Sequence, residues 1–166
     1  MRLLLVAFSC WAAMLASAQN NTATTAIDSV ISRLYSRLSI AAGDSLHFHP
    51  LAALFDSGAT LSPAFMPKEV RWSVEAYVTG SNQNLRTQQI QTWQERELHA
   101  QTDVFGTIAQ RFSTYEIRFT TAGKEVIRRG INAIQLVQRN GSWRVHSIIW
   151  DREREGLSLP DSLKQR

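Results

Sequence analysis

The spacing of apolar residues divides the chain into a first part with helical periodicity and a second part with strand periodicity. From Thr25 to Ile40 the apolar residues recur every three or four positions, which predicts an amphipathic helix. A shorter helix is expected to begin near Pro50, because the first turn of a helix tolerates proline. A strand is expected at 59–62. The segment 70–79 fits both periodicities; we favour a helix there, followed by a loop at 80–84.

In the second part the pattern is alternation, with β-branched and aromatic residues concentrated in four segments. We predict strands within Gln89–Gln101, Gly106–Thr120, Glu125–Arg139 and Trp143–Glu153. Asn140-Gly141 joins the last two segments, and this dipeptide is a strong hairpin signal because both residues tolerate positive φ. Helices followed by a long antiparallel sheet indicate the α+β class.

A two-residue turn at Asn140-Gly141 also predicts which residues share a face of the hairpin. One face is expected to carry Asn132, Ile134, Leu136, Trp143, Val145, Ser147, Ile149 and Asp151. The other is expected to carry Ile131, Ala133, Gln135, Val137, Arg144, His146, Ile148 and Trp150. Neither face is fully polar, which predicts that the helices cover one side of the sheet and another surface covers the other side.

The amino terminus has the pattern of a cleavable secretory signal. Arg2 precedes an apolar run at 3–15, and Ala16-Ser17-Ala18 places small residues where a signal peptidase cleaves. We predict that residues 1–18 are removed and that the mature protein, beginning at Gln19, is exported to the periplasm or secreted.

Two alternatives to cleavage fit the amino terminus less well. A membrane anchor would need about 20 apolar residues, which is longer than this run, and polar residues follow it directly. Lipidation of Cys10 would need a longer apolar run before that residue. We therefore expect no membrane span after the signal is removed.

The composition of the remaining chain fits one small domain that folds by packing alone. Residues 19–155 suffice for one core, and 156–166, which mix charges with Gly156 and Pro160, are predicted to form a flexible tail. Cys10 is the only cysteine, so the mature chain would have no disulfide. Its formal charge, about +3 once Arg2 is lost, is small and scattered, which argues against nucleic acid as a partner.

Several segments of the second part are specific enough to compare with known families. They are Glu95–His99, Phe105–Ala109, Phe112–Glu116, Arg129–Leu136, Trp143–Val145 and Ile149–Glu153. Together they resemble a bacterial, uncharacterised branch of the SnoaL-like, nuclear-transport-factor-2-like superfamily, over about residues 25–155. That superfamily includes ketosteroid isomerases, polyketide cyclases, dehydratases and members without a known reaction, so the resemblance implies a fold and not a reaction.

The resemblance implies a cone-shaped domain, a cystatin-like roll, in which N-terminal helices pack into a strongly bent mixed or antiparallel sheet. It also implies a ligand pocket at the open end and a homodimer formed through the other side of the sheet. With the hairpin faces, we expect the pocket to contain Tyr115, Asn132, Ile134, Leu136, Ser147 and Ile149. We expect the dimer interface to contain Ile131, Ala133, Gln135, Val137, Arg144, His146, Ile148 and Trp150.

Three residues are candidate acids or bases. Alternation places Trp93, Glu95, Glu97 and His99 on one side of a strand, so that Glu97 and His99 could share a proton or hold a ligand. The alternative is an exposed, charged strand face. Asp151 is a carboxylate on a mostly apolar hairpin face, or else lies beyond the strand end beside Arg129 or Arg152. The Tyr115 hydroxyl could donate to a developing oxyanion, or belong to a core tyrosine.

The sequence names no reaction. It contains no nucleophile elbow, phosphate loop or dinucleotide motif, and His47 and His49 beside Asp44 lack a third ligand, so we expect neither cofactor nor metal. We favour an exported homodimer that binds a small apolar or amphipathic molecule. The alternatives are a cofactor-free lyase or isomerase with a carboxylate or histidine base, and a non-catalytic interaction module. A pocket holding a Glu or His of shifted pKa would favour the enzyme, and a filled cone the interaction module.

Overall fold

The computed structural model describes residues 22–164, which form three helices and a five-stranded sheet, and the α+β class is confirmed. The helices are α1 at 22–38, α2 at Phe48–Ala52 and α3 at Val74–Thr87. The strands are β1 at Phe55–Pro63, β2 at Ile90–Phe105, β3 at Ile108–Thr121, β4 at Lys124–Arg139 and β5 at Ser142–Arg152. The signal peptide predicted at 1–18 lies outside the described residues. Among residues 22–164, no helix is long and apolar enough to cross a membrane.

The sheet is mixed and has the order β1-β5-β4-β3-β2. Only the β1–β5 pair is parallel, and the other neighbours are antiparallel. The helices lie on one side, which we call the inner face, and the opposite side is the outer face. The hydrophobic core lies between the inner face and the helices, and the apolar stripe predicted on α1 is buried there: Ile27, Val30, Ile31, Leu34, Tyr35 and Leu38.

Helix α3 is longer than the sequence predicts. It begins at Ser73, whose side chain accepts a hydrogen bond from the Ala76 amide at 3.1 Å, and it continues through the predicted loop at 80–84. The loop prediction is wrong because tertiary contacts outweigh the poor helix propensity of glycine and asparagine. The side chain of Asn82 bonds both backbone groups of Leu46, at 2.8 and 3.0 Å.

The β4–β5 hairpin turns at Asn140 and Gly141 as predicted, and both residues have positive φ, 49° and 77°. Leu136 pairs with Val145, as the turn requires, but the next pair is Gln135 with Ser147. His146 is therefore an extra residue, a β-bulge, and every residue of β5 after it faces the side opposite to the predicted one.

The bulge corrects the predicted faces of β5. Ile148 and Trp150, predicted in the dimer interface, lie on the inner face, whereas Ser147, Ile149 and Asp151 lie on the outer face. Burial agrees, since Ile148 is 5% exposed and Ile149 is 52% exposed. The faces predicted for β4 hold, because the bulge adds a residue to β5 alone.

A second bulge interrupts β2. Glu97 pairs with Tyr115 and His99 pairs with Thr114, so that Leu98 is the additional residue. Glu97 therefore lies on the inner face and His99 on the outer face. The prediction that these two side chains point the same way is wrong.

The residues after β5, predicted to be a flexible tail from 156, contact the domain. Leu159 is buried, and its amide donates to the Glu153 carboxylate at 2.9 Å. A short 3-10 helix at Asp161–Leu163 follows and contacts β2.

Candidate functional site

A cavity of about 310 Å³ lies between the inner face and the helices. Its wall is rich in aromatic side chains, among them Trp72, Tyr77, Trp93, Tyr115 and Trp150. The Trp150 ring lies 6.0 Å from Trp72 and 6.2 Å from Tyr77, centroid to centroid. The charged residues that line the cavity are Glu95, Arg128 and Arg152. A mostly apolar space with a few polar groups is typical of a small-molecule site.

Glu95 is a carboxyl group that the fold places against this apolar wall. It lies on β2, and its amide donates to the hydroxyl of Ser39, just after α1, at 2.9 Å. Burial raises the pKa of Glu95 to about 7, although hydrogen bonds from the side chains of Trp93 and Asn132 oppose the shift. Near neutral pH the group is therefore present in both protonation states, as a general acid or base requires.

Two tyrosine hydroxyls lie near this carboxyl group. Burial, and then the negative charge of Glu95, raise the pKa values of Tyr77 and Tyr115 well above the ordinary tyrosine value. Both hydroxyls therefore stay protonated at any physiological pH. The Tyr77 hydroxyl can donate a hydrogen bond to an oxygen atom of a molecule bound in the cavity.

The position of Tyr115 depends on a glycine in the neighbouring strand. Tyr115 pairs with Gly130, and its hydroxyl lies 3.4 Å from the carbonyl oxygen of Asp151, to which it donates. A Cβ atom on residue 130 would stand 2.6 Å from that hydroxyl oxygen and would overlap the Asp151 carbonyl. Glycine is required at this position because only its backbone leaves room for the ring.

A chain of hydrogen bonds holds Asn132 in place. The Arg111 guanidinium binds both oxygens of the Glu97 carboxylate, at 2.9 and 2.6 Å, and Ser113 donates to the same carboxylate. Because the Ser113 proton is used in this way, the Tyr35 hydroxyl donates to Ser113, at 2.7 Å. The Asn132 amide then donates to Tyr35 at 3.0 Å and, with its second proton, to Glu95.

The three candidates predicted from the sequence do not line the cavity. Glu97 is held in the ion pair with Arg111, and His99 lies on the outer face. Asp151 also belongs to the outer face, where a hydrogen bond from Arg154 at 2.5 Å lowers its pKa. Asp151 is therefore a paired surface carboxylate, but it differs from the alternative considered for it because it lies within β5 and its partner is Arg154 instead of Arg129 or Arg152.

The residues predicted for the pocket are distributed over three environments. Tyr115 and Asn132 line the cavity. Ile134 and Leu136 are on the same inner face but are buried in the core. Ser147 and Ile149 are on the outer face, where the Ser147 hydroxyl donates to Gln135 at 2.8 Å.

The sequence analysis placed Glu95 on a strand face but selected its neighbours. Alternation placed Glu95 on the same side of the strand as Trp93, but it placed Glu97 on that side as well. No pattern in the sequence marked Tyr77, Arg128 or Arg152 as a residue of the site. Within the described part of the chain, no group of three or more His, Cys, Asp or Glu residues could hold a metal ion.

The fold and this cavity define an α+β cone protein with a ligand-sized interior. Neither a protein-family model nor a curated protein sequence matches the chain. Solved structures do match. A putative scytalone dehydratase from Novosphingobium aromaticivorans has a TM-score of 0.67 at 17% identity, with 83% of this chain and 89% of that chain covered. A hexachlorocyclohexane dehydrochlorinase has a TM-score of 0.68 at 8% identity, with 83% and 90% covered.

A third similar structure is a putative calcium/calmodulin-dependent kinase II association domain from Exiguobacterium sibiricum. Its TM-score is 0.61 at 16% identity, with 79% of this chain and 93% of that chain covered. These likenesses confirm the cone-shaped α+β fold that the resemblance implied. Because the identities are low, they establish the fold alone.

Proposed function

We propose that this protein is a cofactor-independent lyase or isomerase in which Glu95 exchanges a proton with a carbon atom of the substrate. The observation that carries the proposal is a carboxyl group of pKa about 7 in the wall of an apolar cavity. Desolvation is the main cause of so large a rise in the pKa of a carboxyl group, and residues with strongly shifted pKa values are concentrated at catalytic sites.

The geometry supports removal of a proton from a carbon next to a carbonyl group. The ionised Glu95 takes the proton, the electron pair of the C–H bond forms a C=C bond, and the carbonyl oxygen becomes negative. The hydroxyl of Tyr77 donates to that oxygen and lowers the energy of the enolate. In an isomerisation Glu95 returns the proton to a different carbon. In an elimination the enolate electrons expel a leaving group from the adjacent carbon, and Glu95 can protonate it.

We favour this function over the two others considered from the sequence, a non-catalytic interaction module and a protein that only binds a small molecule. An interaction module would have a filled cone, whereas the interior here is a cavity of about 310 Å³. A simple binding protein would have no need of a carboxyl group with a shifted pKa. Two of the similar structures are named as a dehydratase and a dehydrochlorinase, which is compatible with elimination, but a shared fold does not transfer a reaction.

The proposal is tested with β-tetralone, a ketone with acidic C–H bonds on a bicyclic apolar body. In deuterium oxide the protein is expected to accelerate exchange of these hydrogens, with a rate that rises with pH to a plateau and a midpoint of about 7, as Glu95 ionises. Glu95→Gln is expected to lower the rate at least about 100-fold. Glu69→Gln, which removes an exposed carboxylate, is the control and should leave the rate unchanged. Equal rates in the parent and in Glu95→Gln would refute the proposed base.

We further propose that two copies of the chain associate through their outer faces. Phe105, Ile108, Phe112 and Ile149 are exposed there, and the register aligns Phe112 and Ile149 on either side of Ala133. A contiguous apolar surface of this kind is unusual on a monomer, and a twofold axis lets one such patch cover its copy. The proposed interface keeps Ile131, Ala133, Gln135, Val137, Arg144 and His146 of the sequence prediction, and Ile149 and Phe112 replace Ile148 and Trp150.

Export is likewise a proposal, supported by the signal pattern at 1–18. Mass spectrometry of the mature protein is expected to find Gln19 at the amino terminus. Recovery of a chain that begins at Met1, from the cytoplasm alone, would contradict it.

A further inference from the structure

Two arginines that line the cavity have no carboxylate partner among the described residues. Among residues 22–164, neither Arg128 nor Arg152 donates a side-chain hydrogen bond or forms an ion pair. The neighbouring carboxylate of Asp151 is bound by Arg154. Each arginine lies instead over an aromatic ring: Arg128 is 4.9 Å from the centroid of Phe119, and Arg152 is 4.2 Å from that of Phe65.

These ring contacts position the two guanidinium groups, Arg128 exposed and Arg152 half-buried, and leave their N–H donors open to solvent or to a ligand. A cation–π contact uses the flat face of a guanidinium, whereas its five N–H donors lie along the edge. Desolvation and the like charge of Arg152 also lower the pKa of Arg128, so the two cations repel each other within the same cavity. An anion between them would remove the repulsion and accept the free hydrogen bonds.

The strand register gives the distance between this cationic side and the proposed base. Glu95 pairs with Ile117, which pairs with Arg128, so Glu95 and Arg128 lie in one row on the inner face of β2, β3 and β4. Their backbones are two strand spacings apart, roughly 10 Å. A molecule that reaches from one to the other crosses the apolar side chain of Ile117 and the ring of Tyr115.

We propose that the cavity takes an organic acid, an apolar ring-containing molecule whose carboxylate binds Arg128 and Arg152. The planar fork of each guanidinium matches a carboxylate, and the ring system packs against the aromatic wall. The statement that the far end of this molecule reacts at Glu95 rests on the proposed function. The carboxylate preference rests on the arginines alone.

The experiment compares β-naphthoate with β-naphthamide, which share a ring system and a planar substituent but differ in charge. Both are titrated at about pH 6, where Glu95 is mostly neutral and an aromatic carboxylic acid is ionised. Binding is followed by the fluorescence of the tryptophans in the cavity wall. The parent is expected to bind the naphthoate at least about tenfold more tightly.

The double variant Arg128→Gln, Arg152→Gln is expected to bind both probes with about equal affinity and to change the affinity for the amide little. Arg33→Gln removes an exposed arginine of α1 and should keep the parent's preference. Equal binding of the two probes by the parent, no binding of either, or a preference that survives in the double variant would each overturn the inference. Circular dichroism and thermal unfolding check that all variants fold.

Glu95→Gln separates this inference from the proposed function. It should retain the preference for the naphthoate even though it loses proton exchange with β-tetralone. If the parent prefers the naphthoate but does not catalyse exchange, the proposed reaction fails and the organic-acid site stands. If exchange depends on Glu95 but the carboxylate is not preferred, only the site fails.

Discussion

At the scale of single residues, two glutamates in the same sheet show that surroundings decide ionisation. Glu95 faces the cavity, and its burial raises the pKa to about 7. Glu116 is 2% exposed, but the groups that cover it are arginines on the outer face: Arg96, Arg118 and Arg129. Desolvation opposes ionisation there too, yet the hydrogen bonds from these arginines outweigh it and lower the pKa to about 2. Glu116 is therefore a permanent anion, whereas Glu95 can transfer a proton.

The raised pKa of Glu95 has a measurable effect on stability. The folded protein keeps the proton up to about pH 7, while the unfolded chain releases it near 4.5, the ordinary pKa of a glutamate. Folding therefore binds a proton between these values, and stability falls as pH rises through this window. Above it, the ionised Glu95 is expected to cost on the order of 3 kcal/mol.

Glu95→Gln removes this cost. Chemical denaturation is expected to show the variant more stable than the parent at about pH 8, by on the order of 2 to 3 kcal/mol, and nearly equal to it at about pH 4. Glu69→Gln, at an exposed position, serves as the control. A parent and variant with the same pH dependence would show that Glu95 titrates normally.

At the scale of secondary-structure elements, the bulges at Leu98 and His146 determine which side chains face the helices. Without the extra residue at His146, the strand would turn Trp150 and Ile148 away from the helices. Without Leu98, it would bring His99 to the inner face. Bulges of this kind re-aim side chains at a functional site while the strand continues.

Adjacent isoleucines test the bulge at His146. Ile148→Ala is expected to lower the free energy of unfolding by about 2 to 5 kcal/mol, because Ile148 is buried in the core. Ile149→Ala, one position later on the exposed outer face, is expected to cost less than about 1 kcal/mol. Both are measured by denaturant unfolding at low protein concentration, so that association contributes little. The reverse order would indicate a regular hairpin without the bulge.

At the scale of the whole molecule, the sheet separates two apolar surfaces for which we propose different functions. The inner surface is closed by the helices except for the cavity, and the outer surface carries exposed aromatic and aliphatic groups. The homodimer proposal concerns this outer surface alone. It leaves the cavity of each copy free to bind a ligand.

Phe112→Glu is expected to convert the dimer to a monomer, since it places a charge at the centre of the proposed interface. Sedimentation at micromolar concentrations measures the change. Ser36→Glu adds the same charge on the exposed side of α1 and should leave the dimer intact. A parent that sediments as a monomer would exclude association through this face at those concentrations.

The sequence by itself determined the local features of this protein. The stripe of α1, the positive-φ turn at Asn140-Gly141, the four long strands and the α+β class follow from periodicity and turn chemistry, which depend on neighbours in the chain. The resemblance of short segments added the cone-shaped fold. These features could be predicted because each depends on a few consecutive residues.

The tertiary structure alone decided the site. Each additional residue, Leu98 in β2 and His146 in β5, reverses the faces of the residues that follow, and alternation carries no mark of such a bulge. The alternating pattern made Glu95 and Glu97 equally good candidates for a base. In the folded protein Glu97 forms an ion pair with Arg111 of the neighbouring strand, whereas Glu95 is desolvated by burial. Burial and ion pairing arise from residues distant in sequence, and for that reason the proposed base could not be identified before the chain was folded.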